Sequence, residues 1–449
     1  MNARDALLQA LRDGLEGGFC LDWRPAGISR AWPGQALLAW ATQLRRRWHR
    51  SLPPRARIAV ALPNSPAYIA HWLAAWQGDW VFCPLPESSP AERTRRLQSL
   101  RPALFVDWRD GTLREHWFPV DDTIIDPAEL ANIYWSSASI GQGSAYGLSY
   151  AALLWQWRQH APQMELDRQS LLRNTLPWAH VFAGVLELLP ALIAGAELRV
   201  APILELRHET FTHLLTVPRV AALLDDDQIY SLRGGNVGGA AMDDALARRL
   251  SGSALQVGYG QTEAGPGISL GARGEFSTGC IGSFLPEVEC QVAETLRYRS
   301  PGQALGRWDG HAWQSIVDAE GYVDSGDRIS PLPEGGYRWL GRRDSAFKLA
   351  DGRGIQPEGE ELRLRAQYPS LQQIVVGAPG ERRLAVLAAV ADTDPAQLRR
   401  RWQEPYPLYV LPPDSWSSWQ SAAGKPRRLA LYHDWPGILS QAYRIGGGK

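Results

Sequence analysis

The sequence predicts an α/β fold with a large N-terminal domain of parallel-rich sheets flanked by helices, followed by a small α+β domain. Short apolar runs alternate with helical patterns as far as about residue 260, which is typical of parallel strands covered by helices. Beyond Gly310 the composition changes, because glycines and charged residues cluster there. At 449 residues the chain also exceeds one ordinary domain, so two domains are expected.

The N-terminal alternation begins with two βαβ units. The first helix opens at Pro66 and ends before Gly78, and the second follows the cap residue Ser89, with Pro90 at its first position and Glu92 two residues later. The predicted strands are Arg57–Ala61, Trp80–Pro84, Ala103–Asp107, Leu198–Ala201 and His213–Val217. This order of elements favours parallel sheets.

The C-terminal part has the pattern of a separate α+β unit of about a hundred residues. Predicted helices cover Glu360–Gln367 and begin again after Pro395. Predicted strands cover Ile374–Gly377 and Leu384–Val390.

Composition and charge exclude several classes of protein. Lys plus Arg and Asp plus Glu each number 47, so no global charge would attract nucleic acid or an anionic membrane. The most apolar stretch, Ala183–Val200, contains Glu187 and is too short to span a membrane, and the charged N-terminus does not suit a secretory segment. The four cysteines have neither paired spacing nor clustered histidines, which excludes a zinc site or disulfide framework. We therefore expect a soluble cytoplasmic protein.

The strongest local motif is GYGQTEAG, which follows the apolar residues Leu255–Val257. A glycine-hinged loop at the end of a strand can present the Thr262 hydroxyl to phosphate and the Glu263 carboxylate to Mg²⁺. Taken alone, the same motif also suits a surface turn with a threonine that caps a helix.

Further motifs follow in a fixed order. They are LPNSPAYIAHWLAAWQGDWVFCPLP (62–86), LPWAHVFAG (176–184), GGAA (238–241), GYVDSGDRI (321–329), GRRDSAFKLADGRGIQPEGEE (341–361) and SAAGKPRRLAL (421–431). With the GYGQTE motif, this series resembles the adenylate-forming superfamily of acyl-CoA synthetases, aryl-acid ligases and adenylation domains. The compact length is similar to that of its stand-alone bacterial members.

The resemblance implies a nucleotide site and a division of the chain. Residues 1–341 would bind ATP and the acid, and residues 342–449 would form a mobile domain that carries the catalytic Lys425. Thr262 would contact the phosphates, and Glu263 would hold Mg²⁺. Asp327 would bind both ribose hydroxyls with help from Arg342, and Asp344 would be the hinge.

The acid pocket is implied by the same resemblance. His180, Val181, Gly184 and Gly238 would line the acyl pocket. The implied nucleotide contacts also include Tyr259, Gly260, Gly239 and Ala240. Lys348 fills the basic position of the C-terminal motif.

The phosphate loop departs from the family pattern. The segment YWSSASIGQGSAYGLSY (134–150) keeps Ser136, Ser137, Ser139 and Gly141, but Ser144 stands where the family has a lysine. Backbone amides and hydroxyls can still cradle phosphate without a side-chain cation. We expect functional but weaker binding of the β- and γ-phosphates.

The implied activity is ATP- and Mg²⁺-dependent activation of a carboxylic acid to acyl-AMP, followed by transfer to coenzyme A or an acyl carrier protein. An aryl acid such as a 3- or 4-hydroxybenzoate or a cinnamate is the first expectation, because Val181 follows His180 where the activators of 2-hydroxybenzoate have Asn. A fatty acid is the alternative substrate. A catalytically impaired homologue that binds ligand is the alternative function, and an unrelated Trp-rich binding module is a third.

Overall fold

The helices are distributed along the whole chain, most of them between strands. The structure, a computed structural model, describes residues 1–136, 143–368, 370–382, 384–390, 395–412, 415–416, 419 and 426–446. The helices are α1 (Ala3–Gly17), α2 (Gly34–Trp48), α3 (Pro66–Gln77), α4 (Pro90–Leu100), α5 (Tyr150–Met164), α6 (Val181–Ala183), α7 (Leu189–Ala194), α8 (Pro218–Ala221), α9 (Asp226–Ser231), α10 (Asp244–Leu250), α11 (Pro357–Gln367), α12 (Pro395–Arg401), α13 (Arg428–His433) and α14 (Trp435–Gln441).

The strands before residue 343 build two large sheets and one small one. They are β1 (Cys20–Trp23), β2 (Arg30–Pro33), β3 (Arg57–Ala61), β4 (Val81–Pro84), β5 (Leu104–Arg109), β6 (Thr112–Trp117), β7 (Leu130–Trp135), β8 (Ala145–Ser149), β9 (Leu171–Asn174), β10 (Glu197–Val200), β11 (His213–Thr216), β12 (Gly234–Gly238), β13 (Gln256–Gly260), β14 (Gly267–Leu270), β15 (Cys280–Phe284), β16 (Glu289–Val292), β17 (Leu296–Arg299), β18 (Gly306–Trp308), β19 (Trp313–Gln314), β20 (Val323–Asp324), β21 (Asp327–Pro331) and β22 (Tyr337–Arg342).

Both large sheets have parallel centres and antiparallel edges. The order of the eleven-stranded sheet is β2-β1-β10-β9-β11-β12-β13-β14-β15-β22-β21, and it is parallel from β1 to β13. The order of the eight-stranded sheet is β19-β18-β8-β7-β4-β3-β5-β6, with β7, β4, β3 and β5 parallel. The predicted α/β class is therefore confirmed.

The C-terminal strands form sheets of their own. They are β23 (Phe347–Lys348), β24 (Gly354–Ile355), β25 (Leu371–Val376), β26 (Val386–Val390), β27 (Leu408–Leu411) and β28 (Tyr443–Ile445). The four strands β25 to β28 make one sheet, whose two faces pack against separate apolar clusters built from residues 355–445. The proposed boundary at residues 341 and 342 stays a prediction.

A boundary after Gly310 is wrong. β18 pairs with β8, and β21 and β22 complete an edge of the eleven-stranded sheet, so residues 306–342 belong to the N-terminal sheets. The glycines and charges of this region lie in short antiparallel strands and turns at sheet edges. Such turns need the same residue types as a linker, which is why composition alone misplaces the boundary.

The predicted βαβ unit is confirmed at residue level. β3 has the predicted bounds, α3 begins at Pro66, and Ser89 caps α4 by accepting a hydrogen bond from the Glu92 amide at 3.2 Å. Tryptophans fill much of the core, and Trp48, Trp76, Trp80 and Trp178 are fully buried. Among the described residues, no helix is both long and apolar enough to cross a membrane.

Candidate active site

The GYGQTE turn lies at the carboxyl end of β13, the edge of a parallel sheet where ligands usually bind. A Cβ atom at Gly260 would lie 1.7 Å from the Pro266 carbonyl oxygen, so only glycine fits this position. Thr262, Glu263 and Ala264 form one 3₁₀ turn directly after the strand. The close approach of the two backbones therefore fixes where Thr262 and Glu263 project.

Gln156 of α5 holds the other side of this turn. Its side chain is fully buried, and Nε2 donates to the carbonyls of Ala264 and Gly267 at 3.0 and 2.9 Å. Oε1 accepts from the Gly267 amide at 3.2 Å. One glutamine thus satisfies three backbone groups of the loop that carries Glu263.

Asp327 is the centre of a second polar cluster beside the turn. It is 3% exposed, and Oδ2 accepts from the Tyr259 hydroxyl at 2.6 Å and from Gln261 Nε2 at 2.7 Å. Oδ1 lies 3.7 Å from Arg342 Nη1. Burial raises the pKa of Asp327, although the hydrogen bonds and Arg342 oppose that shift. The structure therefore brings together Tyr259, Asp327 and Arg342, as predicted.

The Ser325 hydroxyl bonds the backbone next to Asp327. Its hydroxyl donates to the Leu296 carbonyl at 2.7 Å and accepts from the Asp327 amide at 3.0 Å. One hydroxyl thus links the backbones of Leu296 and Asp327.

Arg342 links Asp327 to the predicted hinge. Its Nε and Nη2 donate to the two carboxylate oxygens of Asp344 at 3.0 and 2.9 Å, and Nη1 donates to the Ser325 carbonyl at 2.9 Å. Hydrogen bonds to Asp344 raise the pKa of Arg342 above its ordinary value. The nucleotide cluster and the exposed Asp344 are thereby joined through one side chain.

Glu263 faces two tyrosines to which the sequence motifs assign no role. Tyr146 of β8 lies close to the Glu263 carboxylate and to the Ser144 side chain, and burial together with Glu263 raises the pKa of Tyr146. Tyr298 of β17 is fully buried, and its hydroxyl has no hydrogen-bond partner among the described residues. The negative charges of Glu263 and Asp327 act on that hydroxyl and raise its pKa, although burial is the larger cause.

The phosphate loop is described only at its two ends. The Ser136 amide donates to the Ser144 carbonyl at 2.8 Å, and the Ser144 amide donates to the Ser136 hydroxyl at 3.0 Å. These bonds close the loop between β7 and β8. Ser137, Ser139 and Gly141 lie outside the described residues.

Some of the residues predicted to line the acid pocket are exposed, and others lie in the apolar core. A Cβ atom at Gly238 would lie 3.7 Å from the Phe182 ring, and one at Gly239 would lie 3.6 Å from Val217. Gly239 and Ala240 are exposed beyond β12, and His180 precedes α6 as its half-buried cap residue. Apolar side chains and bare backbone therefore border this region.

Two of the predicted pocket residues lie within packed surroundings. Val181 is 6% exposed and belongs to the largest apolar cluster. A Cβ atom at Gly184 would lie 2.5 Å from the Tyr134 hydroxyl and 2.7 Å from the Trp178 carbonyl oxygen. Gly184 thus permits close packing, and a pocket role for either residue stays a prediction.

Glu187 is a buried carboxyl group one helical turn beyond Gly184. Its Oε2 accepts from Asn174 Nδ2 at 2.5 Å and from Trp178 Nε1 at 3.1 Å. Its Oε1 has no hydrogen-bond partner among the described residues. Burial raises the pKa of Glu187 to about 8, and Arg173 only partly opposes the shift.

The C-terminal lysine motif is described from Pro426 onward, so Lys425 lies outside the described residues. Arg428 is 8% exposed, and its two terminal nitrogens donate to the two carboxylate oxygens of Glu361 at 2.8 and 2.6 Å. Glu361 also accepts from the Val376 amide at 3.0 Å. Arg428 therefore anchors the start of α13 to α11 and β25. Lys348 is exposed in β23.

The residues near Glu263 fit magnesium only together with a nucleotide. In the described part of the chain, no group of three or more His, Cys, Asp or Glu could hold a metal ion. Magnesium is commonly held by one or two carboxylates and the phosphates of the substrate, a donor set that Glu263 can join. The partly exposed Glu263 suits that arrangement and not a metal site made of protein alone.

Sequence motifs could not have identified Tyr146, Gln156, Gln261 or Tyr298. Gln261 occupies the variable position of its motif, Tyr146 stands in the segment 134–150 at a position without an assigned role, and Gln156 and Tyr298 lie in segments without a motif. Their contacts with the turn join residues far apart in the chain, as in the 111-residue separation of Gln156 and Gly267.

Comparisons with known proteins agree with this geometry. Residues 97–307 match the family model of AMP-binding enzymes. A linear gramicidin synthase of Brevibacillus parabrevis is 26% identical over 435 residues, which cover 80% of this chain and 5% of that protein. 4-Coumarate–CoA ligase 3 of Arabidopsis thaliana is 27% identical over 250 residues, which cover 46% of this chain and 45% of the ligase. The chain thus spans a small part of the first relative and under half of the second.

A solved structure shares the whole fold. The crystal structure of ATP-bound MatB from Rhodopseudomonas palustris superposes with a TM-score of 0.78 at 19% sequence identity. The match covers 98% of this chain and 100% of that structure. The two-part α/β fold is therefore shared with that structure.

Proposed function

We propose that this member of the adenylate-forming superfamily uses ATP to convert a carboxylic acid to an acyl-AMP and then transfers the acyl group to a thiol. The observation that carries the proposal is the cluster of Tyr259, Asp327 and Arg342 beside the Glu263 turn. This arrangement supports a site at one edge of a parallel sheet in which Asp327 would accept from ribose, the turn would face the phosphates and Glu263 would hold the metal.

Asp327 is suited to the ribose. Its Oδ2 already accepts two protein hydrogen bonds, whereas the contact from Oδ1 to Arg342 at 3.7 Å is too long for one. The Trp339 side chain also acts on this carboxylate and lowers its pKa, and the roughly four acceptor sites of a carboxylate leave room for ribose hydroxyls. Tyr259 and Gln261 hold the carboxylate in place, so its orientation is set before the nucleotide binds.

In the proposed first step, a carboxylate oxygen of the acid attacks the α-phosphorus, and pyrophosphate leaves. Mg²⁺ bound beside Glu263 would neutralise phosphate charge. The protein positions the reactants and stabilises the oxygens that gain charge. Lys425 is the proposed bridge between the carboxylate and phosphate oxygens.

The composition supports a specific role for Lys425. Only three of the 47 Lys and Arg residues are lysines, namely Lys348, Lys425 and Lys449. Nearly all cationic side chains of this chain are thus arginines. The lysine within GKPRR therefore has a role for which arginine is not suited. A compact ammonium on a flexible stem suits a mobile contact with converging oxygens.

We assign residues 1–341 to the nucleotide and acid site and residues 342–449 to a domain that moves about Asp344. Arg427 lies close enough to Arg96 of α4 that its positive charge, with burial as the larger cause, lowers the pKa of Arg96. Arg96 in turn stacks on Trp135, the residue before the phosphate loop. The described residues of the C-terminal lysine motif therefore lie on the side of the molecule where β7 leads into the phosphate loop.

An aryl acid is the proposed substrate class. Phe182 and Val217 are apolar side chains beside Gly238 and Gly239 of the predicted pocket. The segments 176–184 and 238–241 contain no carboxylate for an amino-acid ammonium. 3- and 4-hydroxybenzoate and cinnamate are the first candidates, and the thiol belongs to coenzyme A or a carrier protein.

Acid-dependent exchange of labelled pyrophosphate into ATP tests the function. With Mg²⁺ present, we expect exchange with aryl acids to exceed exchange with fatty or amino acids at least tenfold. A preference for fatty acids would replace the substrate assignment and keep the activity. If no acid supports exchange although ATP binds, the chain is a ligand-binding homologue and not a ligase.

A further inference from the structure

The phosphate loop lacks a cation of its own. Residues 136–144 contain neither lysine nor arginine, and Ser144 occupies the position of the loop lysine. The β- and γ-phosphates of ATP carry most of its charge, so a site without any nearby cation would depend on backbone amides alone. Another element close to the loop is therefore the place to look for that charge.

Strand β18 brings Arg307 to this loop. β18 pairs with β8 in antiparallel register, with Arg307 opposite Tyr146 and Trp308 opposite Ala145. Directly opposed residues of an antiparallel pair project from the same face, with Cβ atoms about 5 Å apart. Since Tyr146 lies close to both Ser144 and Glu263, Arg307 projects from the face that borders Glu263 and the described end of the phosphate loop at Ser144.

The Arg307 side chain is exposed and is not held in an ion pair by the described residues. Gly306 and Trp308 on either side of it are buried, whereas the arginine is exposed. Arg307 forms no salt bridge with any other described residue. Its charge does act on the Tyr146 hydroxyl, which places the guanidinium near the Glu263 side of the loop.

Two other arginines near the site, Arg342 and Arg96, are engaged elsewhere. Arg342 donates to both oxygens of Asp344, and Arg96 stacks on Trp135 while it pairs with Glu92. Either would have to break an ion pair to reach a phosphate. Arg307 has no such bond to lose within the described chain.

We propose that Arg307 binds the β- and γ-phosphates of ATP and so replaces the missing lysine of the phosphate loop. The planar guanidinium can donate two parallel hydrogen bonds to phosphate oxygens, which a serine hydroxyl cannot do. The inference rests on the proposed use of ATP. It assigns to β18 a charge that relatives with a loop lysine carry in the loop itself.

The assignment predicts that removing the Arg307 charge lowers the affinity for ATP but not the affinity for AMP. Arg307→Gln should weaken binding of ATP at fixed Mg²⁺ and ionic strength by about ten- to a hundredfold, the effect of one lost charge-assisted contact. Binding of AMP, which lacks both phosphates, should change by less than about twofold. Arg307→Lys should retain part of the ATP affinity, because lysine keeps the positive charge. It should not retain all of it, because an ammonium cannot donate the two parallel hydrogen bonds of a guanidinium.

A second substitution tests whether charge is the cause. Adding Ser144→Lys to Arg307→Gln should restore most of the lost ATP affinity, because the cation returns within the loop. Arg248→Gln, an exposed arginine of α10, is the matched control and should bind both nucleotides as the wild type does. Isothermal titration of each variant with ATP and with AMP gives all of these values.

Three results would overturn the assignment. Wild-type ATP affinity in Arg307→Gln would show that the arginine does not touch the phosphates. Equal weakening of ATP and AMP would show a structural role for β18, and failure of Ser144→Lys to restore binding would exclude charge as the cause. Each leaves the proposed ligase standing, whereas a wild type that binds no ATP would overturn both.

Discussion

Two buried carboxyl groups, Asp327 and Glu187, differ in what surrounds them. Asp327 accepts from Tyr259 and Gln261 beside Arg342, and burial still raises its pKa. Glu187 has only two neutral donors, and burial raises its pKa to about 8. Asp327 therefore has donors that stabilise its charged form, whereas Glu187 is held in the folded protein with a proton.

Glu187 predicts a specific dependence of stability on pH. Between its ordinary pKa of 4.5 and the folded value of about 8, only the folded state binds the proton. The free energy of unfolding should therefore fall as pH rises, by up to about 1.4 kcal/mol per unit. Glu187→Gln should remove this slope. Denaturant unfolding at pH 5.5 and 7.5 compares the variant with wild type, and the exposed Glu334→Gln should keep the wild-type slope.

Gly260 is the residue on which the geometry of the turn depends. Gly260→Ala should displace the Pro266 carbonyl, because the new Cβ atom would lie 1.7 Å from that oxygen. We expect a loss of at least a hundredfold in pyrophosphate exchange with the fold retained. Gly359→Ala, where a Cβ atom meets nothing within 4 Å, is the matched control. Exchange at the wild-type rate in Gly260→Ala would contradict the role of the turn.

The sequence could identify only part of the site. Tyr259 and Glu263 belong to one short motif, and Asp327 and Arg342 to others, so each could be assigned before the structure was known. Tyr146, Tyr298 and Arg307 could not, because their positions beside Glu263 depend on which strands pair. Register across a sheet is set by packing and turns together, and no single segment encodes it.

At the scale of elements, α13 is held to α11 by the buried pair of Arg428 and Glu361. Arg428 lies three residues beyond Lys425 in the sequence and donates to both carboxylate oxygens of Glu361. The helices and strands with strong periodicity were predicted with accurate bounds, as β3 and α3 show. The strands between Gly310 and Arg342 were missed, because they are short and rich in turn residues.

Removing this anchor should destabilise the C-terminal elements. Arg428→Ala leaves Glu361 buried without its cation, which typically costs about 3 to 5 kcal/mol. Thermal unfolding should show an earlier transition of the C-terminal part, and pyrophosphate exchange should fall with it. The exposed Arg382→Ala is the control. An unchanged unfolding transition in Arg428→Ala would mean that the Arg428–Glu361 pair contributes nothing to the stability of the C-terminal part.

At the scale of the whole molecule, Asp344 is bonded to Arg342 beside the Asp327 cluster and precedes the C-terminal sheets in the chain. The proposed cycle needs two orientations of residues 342–449, one for each half-reaction. Asp344 is exposed and makes its described side-chain bonds to Arg342 alone, so it is free to change its backbone angles. A hinge at this residue is consistent with both observations.

Asp344→Pro should separate the two half-reactions. Proline fixes φ, so rotation should be blocked and acyl-AMP should accumulate while transfer to the thiol slows at least tenfold. Asp344→Ala removes the same carboxylate without fixing φ and is the matched control. Rapid-quench measurement of acyl-AMP and thioester follows both steps. Normal transfer in Asp344→Pro would place the hinge elsewhere.

The central claim is tested most directly by Lys425→Ala, with each half-reaction measured separately. The account predicts that pyrophosphate exchange falls at least a hundredfold, because Lys425 acts only while the acid attacks ATP. Transfer of the acyl group from supplied acyl-AMP to coenzyme A or a carrier protein should stay within about threefold of wild type. Equal loss of both half-reactions in a folded variant, or exchange at the wild-type rate, would contradict the account.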